Sequence, residues 1–405
     1  MFYSLIYSVC NRVSLLLITL ISIQFLTVND YGKFSYILSI LTTFVVIAGA
    51  GAGVSVNLFL SENHGKEKEK CLEVLNFNYS VITIVSLVTS ILFIFFDFSD
   101  FGFDNIYLFL FIFSCIVFSN YCVVTENIYV GLSEFKRLAL NSLISLIISV
   151  IFSYIFISNY GLYGALLSFL FYRIINFIIN LYNSIVKPNK IIIRSKTGFM
   201  LFRKVGLPSL LSSLLVAPVL VVALTITLKN TDYVSMAYFN WVYQVYLIAV
   251  FIPSALGGYF INKFAKNKLK IIYNFKKMVG LNFLFSIVLV SLLYMLKDVI
   301  LGYAGSEYVE NASYLYIVMM ASVIFYSINS IFSSYWPVVK LTWLGVIFNI
   351  LWAVIIIVVL LLNVEDKGVN ALGLAFLSSY IALFVFQFSI YFLTRHKINC
   401  SEVCN

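Results

Sequence analysis

The chain is a succession of apolar runs, each about 20 residues long, separated by short polar joints. A run of that length crosses the hydrocarbon core of a bilayer as one helix. In lipid every backbone N–H and C=O must be bonded within the protein, which restricts a spanning chain to helices or a closed barrel. A barrel needs short segments of alternating polarity, and these are absent. Twelve runs can be read, at 3–26, 34–60, 74–96, 106–128, 138–158, 161–184, 205–228, 233–260, 278–296, 311–332, 341–362 and 370–393. Two of them almost touch at Ser158–Tyr160. Together they are too long for one span, so a tight hairpin is expected there, with Gly161 and Gly164 just after the turn. Composition agrees: 62% of residues are hydrophobic and 11% charged, where soluble domains carry about 25% charged residues. The sequence predicts an all-α, polytopic membrane protein with twelve transmembrane helices.

The net charge of +9 is gathered in a few joints, which argues for membrane orientation and against nucleic acid. Lys187–Lys204 holds six Lys/Arg and no acid, and nearly equal lengths of apolar chain flank it. With both termini in the cytoplasm, that segment falls inside together with Lys66, Lys68, Lys70, Lys136, Arg137, the lysines from Lys263 to Lys277, Lys340, Arg395 and Lys397. The opposite face receives only Lys33, Lys229, Lys297 and Lys367. The division is therefore into a bundle at 1–186, a basic cytoplasmic linker at 187–204, a second bundle at 205–395 and a tail at 396–405. The first run holds Arg12 and lacks a small-residue cleavage pattern after it, so it reads as a retained span.

No joint is long enough to form a domain of its own, so function has to lie between the helices. His64 and His396 are isolated loop residues, and no phosphate-binding loop, zinc-protease pair or nucleophile elbow is present. The six cysteines have no metal-site spacing. They are expected as free thiols, and neither a metal nor a cofactor is called for.

The halves echo one another. Asn29-Asp30-Tyr31 matches Thr231-Asp232-Tyr233, and the stretch from Tyr160 to Ser168 matches that from Gly368 to Ala375. Both offsets fit a six-plus-six repeat. Pro208 and Pro218 lie in the seventh run beside Gly206 and several serines, which predicts a bent or locally opened helix able to move. Gly49, Gly51 and Gly53, alternating with alanines, form a small-residue patch in the second run that serves either close helix packing or a hinge.

Three charges stand inside apolar runs: Arg12, Glu126 and Arg173. A charge at membrane depth is unfavourable and faces either a water-filled cavity or a partner. Arg173 is followed by Asn176, Asn180 and Asn183 at helical spacing, which makes one polar stripe on an apolar helix. Arg12 and Glu126 could instead snorkel to the cytoplasmic headgroups, and Arg173 could pair with Glu126. The candidate binding set is Arg12, Arg173, Asn176, Asn180 and Glu126. The intramembrane positions of the second half are polar but neutral.

Several stretches carry a family resemblance: the first helix running into Asp30-Tyr31-Gly32, Gly161-x-x-Gly164-Ala165 at the start of the sixth run, and Gly206-Leu207-Pro208-Ser209 at the seventh. With twelve runs in two halves, the chain resembles the polysaccharide-exporting branch of the multidrug/oligosaccharidyl-lipid/polysaccharide exporter superfamily, specifically bacterial O-antigen flippases. The resemblance implies a V-shaped pair of six-helix bundles around a central cavity in the bacterial inner membrane. It implies transport of an undecaprenyl-diphosphate-linked oligosaccharide from the cytoplasmic to the periplasmic leaflet, as a step of lipopolysaccharide biosynthesis, with Arg12 and Arg173 binding the diphosphate. Membrane lipids, other polysaccharide-assembly proteins and a coupling ion, proton or sodium, are the further partners to consider. An antiporter of drugs or small metabolites, a major-facilitator transporter and a membrane enzyme are the competing classes.

Orientation is directly testable. Cysteines introduced at Ser99 and Ser306 should react with an impermeant thiol reagent from outside intact cells; labelling only after lysis would overturn the assignment.

Overall fold

The computed structural model describes residues 2–49, 51–63, 68–93, 105–184, 186–188, 190, 195–207, 210, 214–266, 271–338, 341 and 343–403. Every described element is a helix, and the helices gather into two compact units, Met1–Pro218 and Val219–Asn405. In the first, α1 (Phe2–Phe25) lies along α6 (Phe135–Asn183). There α5 (Asn105–Gly131) packs against α6 and also against α2 (Val28–Gly49), α3 (Ala52–Asn63) and α4 (Lys68–Phe93).

The 49-residue α6 is the expected hairpin. Its backbone leaves helical geometry at Gly161, at φ 55° and ψ −128°, in the left-handed region that a residue with a Cβ rarely enters. The two arms then run antiparallel in register. Asn141 donates to Asn180 at 3.0 Å, Asn183 donates to Asn141 at 2.8 Å, and the Phe152 and Phe171 rings meet at 4.6 Å. Close to the turn the arms touch backbone to backbone, because a Cβ on Gly164 would strike the Phe156 carbonyl. The matching stretch of the second half behaves alike: Gly368, at φ 53°, joins α14 (Trp343–Lys367) to α15 (Asn370–Val403).

The second run is not one helix. α2 ends at Gly49 and α3 begins at Ala52, with Gly51 at φ 66° between them. The small-residue patch also brings these helices against α5. A Cβ on Gly49 would lie 2.6 Å from Asn120, one on Gly53 2.7 Å from Asn127, and one on Gly131 2.9 Å from the Asn57 carbonyl. Lipid tails are as apolar as leucine, so such close approach is what holds helices together in a membrane. The contacts advance in the same direction along both partners, so α2–α3 and α5 run parallel, as a second and a fourth pass must.

The seventh run, expected at 205–228, is likewise discontinuous. α7 (Lys196–Leu201) passes into a π turn at Phe202–Gly206, a turn occupies Leu215 and Val216, and α8 (Ala217–Asn230) starts afresh. Pro218 sits in the first turn of α8, where its missing N–H has no intrahelical bond to lose. Pro208 lies outside the described residues.

In the second unit, α13 (Ser313–Val338) packs on α9 (Tyr233–Lys266), α10 (Ile271–Met295) and α15, with α14 against α15. Its core is aromatic: Phe239, Tyr243, Tyr246, Tyr326, Phe376 and Tyr380 form one cluster, and Phe275, Phe332, Tyr335, Trp336 and Tyr391 another. Polar groups there pair with neutral partners, as in Tyr246 with Tyr380 at 3.1 Å and Trp336 with Gln387 at 3.3 Å. Among the described residues of this unit no charged side chain is buried. The short α11 (Lys297–Ala304) and α12 (Ser306–Asn311) connect α10 to α13.

Among the described residues, 10 helices are long and apolar enough to cross a membrane, with α8 a shorter apolar one. Resolving α6 into its arms and counting α8 accounts for the runs of the sequence. Cys10, Cys71, Cys115 and Cys122 are free, buried thiols. Overpacking a tight contact costs about 1–3 kcal/mol, so Gly164→Ala should lower the melting midpoint of the solubilised protein by several degrees. Gly345→Ala, whose Cβ would meet nothing within 4 Å, should not; equal melting of the two would contradict the packing assigned to the hairpin.

Candidate substrate site

The interior of the first unit is organised around Glu126 on α5. Its side chain is only 7% exposed, and it accepts four hydrogen bonds from three helices. Tyr7 and Asn11 of α1 donate at 2.6 and 3.2 Å, Cys122 of α5 at 3.3 Å and Asn176 of α6 at 3.0 Å. A carboxylate taken out of water is unfavourable unless its lone pairs are met, and donors from neighbouring helices meet them here. Glu126 is therefore held inside the bundle by its donors.

From Glu126 the network continues along the α6 hairpin. Asn180 donates to Asn176 at 2.6 Å, Asn141 donates to Asn180, and Tyr129 donates to the Asn180 carbonyl at 2.7 Å. Tyr172 donates to Asn11 at 3.3 Å, closing a loop back to α1. The chain of donors also fixes the amide of Asn176. Its oxygen faces Asn180, so its NH2 faces the carboxylate.

Asn176 and Asn180 are fully buried, and both sides of each amide are engaged within the bundle. They hold α5 and the α6 arms together and present no free polar edge. Arg173, one turn before Asn176, is partly exposed. Its guanidinium carbon stands 5.2 Å from the ring centroids of both Phe169 and Tyr172, and its Nε is buried without a hydrogen-bond partner. Among the described residues no ion pair joins Arg173 to Glu126. Arg12 is exposed on α1, next to Asn11. Thus Glu126, Asn176 and Asn180 belong to one bonded network, while the two arginines sit beside network residues in sequence and keep exposed surface.

Tyr7, Asn11, Tyr129 and Asn141 were not singled out from the sequence. One signal was available: Asn141, Ser145, Ser149 and Ser153 recur every fourth residue, and all four are buried.

Several solved structures are similar to this chain. An inward-facing multidrug resistance transporter of the MATE family, in the MOP superfamily, matches 96% of this chain and 95% of its own at a TM-score of 0.73 and 12% identity. The lipid II flippase MurJ, in an inward closed conformation, matches 95% of this chain and 87% of its own, at a TM-score of 0.77 and 18% identity. This chain shares the fold of these two proteins. A MOP-superfamily transporter from Pyrococcus furiosus, described as having a binding pocket of reverse polarity, matches 98% of this chain and 94% of its own, with a TM-score of 0.68 at 12% identity. No protein-family model and no curated protein matches the chain. With these neighbours, the ten long apolar helices make it a multi-pass membrane protein.

Removing the Glu126 carboxylate should loosen the unit. A buried donor left without its acceptor costs about 1–3 kcal/mol, and Glu126→Ala orphans Tyr7, Asn11 and Asn176 together. Its melting midpoint should fall well below that of Glu126→Gln, which keeps one acceptor oxygen. Equal midpoints for the two variants would show that the carboxylate does not organise the bundle.

Proposed function

We propose that this chain is a flippase for lipid-linked oligosaccharides. It moves an undecaprenyl-diphosphate-linked O-antigen repeat unit across the bacterial inner membrane by alternating access, with its bundles at 1–186 and 205–395. The observation that carries the reading is Arg173: a guanidinium at membrane depth, backed by two aromatic rings, with a buried Nε that nothing bonds and no carboxylate paired to it among the described residues. A guanidinium at membrane depth with no carboxylate paired to it among the described residues is suited to an anion that comes and goes. Guanidinium presents five donors in a planar fork, stays protonated in a low-dielectric site, and matches the oxygens of a diphosphate. Asn176, Asn180 and Glu126 act behind it by fixing the α6 face that carries it, and Arg12 supplies a second cation from α1. The seventh run, with its turn at Leu215 and Val216 and with Pro208 and Pro218, is the proposed gating element. The similarity to a lipid II flippase supports a lipid-linked substrate, and the basic linker supports cytoplasmic termini.

A second reading, an antiporter of drugs or small metabolites, is favoured by one observation. Glu126 is a buried carboxylate in the bundle interior, and such a group could exchange a proton or sodium ion for a cationic substrate.

Arg173 variants distinguish the two. In a strain lacking the native gene, Arg173→Ala and Arg173→Glu should be made at normal level yet lose surface polysaccharide and accumulate lipid-linked repeat units, with Arg173→Lys retaining part of the activity. Full activity of Arg173→Glu at normal expression would refute the diphosphate reading.

A further inference from the structure

The helix α7, in the second half of the basic linker, carries with its π turn a surface that has no role in the transport scheme. Two features seat it on the first unit. Ser195 donates to Glu73 at 2.6 Å and accepts from the Gly198 N–H at 2.8 Å, so one hydroxyl caps the helix and ties it to α4. A Cβ on Gly198 would lie 2.6 Å from the Phe77 ring, so the helix rests on α4 at van der Waals contact. The π turn at Phe202–Gly206 takes more residues per revolution than an α turn. It brings Gly206 round to the same buried face as Gly198.

With that face docked, the opposite one is turned outward, and it is of mixed character. Phe199, Met200 and Leu207 are 60%, 48% and 40% exposed, interleaved with the exposed cations Lys196, Arg203 and Lys204. Nearby, the Lys187 ammonium stands 5.4 Å from the centroid of Tyr182 at the end of α6, an aromatic and cation of the kind found at a membrane–water boundary. Apolar side chains alone would fit any greasy partner, and cations alone would fit water. Their alternation along one helical face matches a surface with anionic oxygens outermost and hydrocarbon immediately beneath.

We propose that the face formed by Lys196, Phe199, Met200, Arg203, Lys204 and Leu207 binds anionic phospholipid headgroups of the adjoining leaflet, with Phe199 and Met200 entering the acyl boundary. Each basic residue held at an anionic membrane surface contributes about a fivefold gain in binding. The site does not depend on what the protein transports. Its effect is to hold the segment leading into the interrupted seventh run at headgroup depth.

The test uses the full chain in detergent, titrated with dioctanoyl phosphatidylglycerol, dioctanoyl phosphatidylcholine or inorganic pyrophosphate, with thermal stabilisation as the readout. Phosphatidylglycerol should stabilise the native protein and phosphatidylcholine should not. The triple variant Lys196→Gln, Arg203→Gln, Lys204→Gln should need roughly a hundredfold more phosphatidylglycerol for the same shift. Phe199→Ser with Met200→Ser should also weaken binding, while leaving its salt dependence in place. An unchanged titration in the triple variant would overturn the proposal. So would pyrophosphate displacing phosphatidylglycerol with the same sensitivity to these residues, since the face would then belong to the diphosphate of a substrate.

Discussion

The first unit depends on the satisfaction of one carboxylate. Glu126 has left water without acquiring a cationic partner among the described residues, and its lone pairs are met by a phenol, two amides and a thiol. Those donors come from α1, α5 and α6, so the requirement to solvate one charge fixes the relative placement of three helices. Burying a charge is unfavourable unless such partners are in position. This makes the arrangement specific, because a slipped helix would lose a donor that lipid cannot replace.

The units solve the same packing problem with different chemistry. The first uses asparagines, serines and a carboxylate along the α6 hairpin, and the second uses stacked tyrosines, phenylalanines and tryptophans with neutral hydrogen bonds. Aromatic rings pack over large areas in fixed geometries and need few polar partners. Among the described residues, a buried charge is therefore a feature of the first unit alone.

Much of this was legible in the sequence, because membrane depth sets run length and glycine marks reversals. The hairpin at Ser158–Tyr160 followed from two runs too long for one span, and the echo of Gly161 with Gly368 falls on two left-handed turns. The other echo was legible only in part. Asp30 and Asp232 both lie at helix starts, but Thr27 caps the Asp30 N–H at 3.1 Å, whereas Asp232 itself caps Ser235 at 2.8 Å. The break at Gly51 was open from the sequence, since alternating glycine and alanine suits a packed helix as well as a broken one. The hub at Glu126 was hidden because its partners are far away in sequence: Tyr7, Asn11 and Asn176 become neighbours only when the bundle closes. The polar stripe through Arg173 was visible, but a period alone does not say whether an amide meets a cavity or another amide.

The arms of α6 meet across a single glycine and share side-chain hydrogen bonds, so each is better satisfied in a bilayer with the other beside it. An arm entering alone would carry the Asn141 amide, or the Asn183 amide and the Asn180 side-chain oxygen, into hydrocarbon without the partners that the other arm provides, and lipid offers no substitute. The bonds that cross between the arms of α6 thus favour insertion of the two arms as a pair. Synthesis order favours this. Tyr7 and Asn11 are made before Glu126, so the carboxylate finds two of its donors while the chain is still growing. Asn176, made last of these donors, completes the set around Glu126.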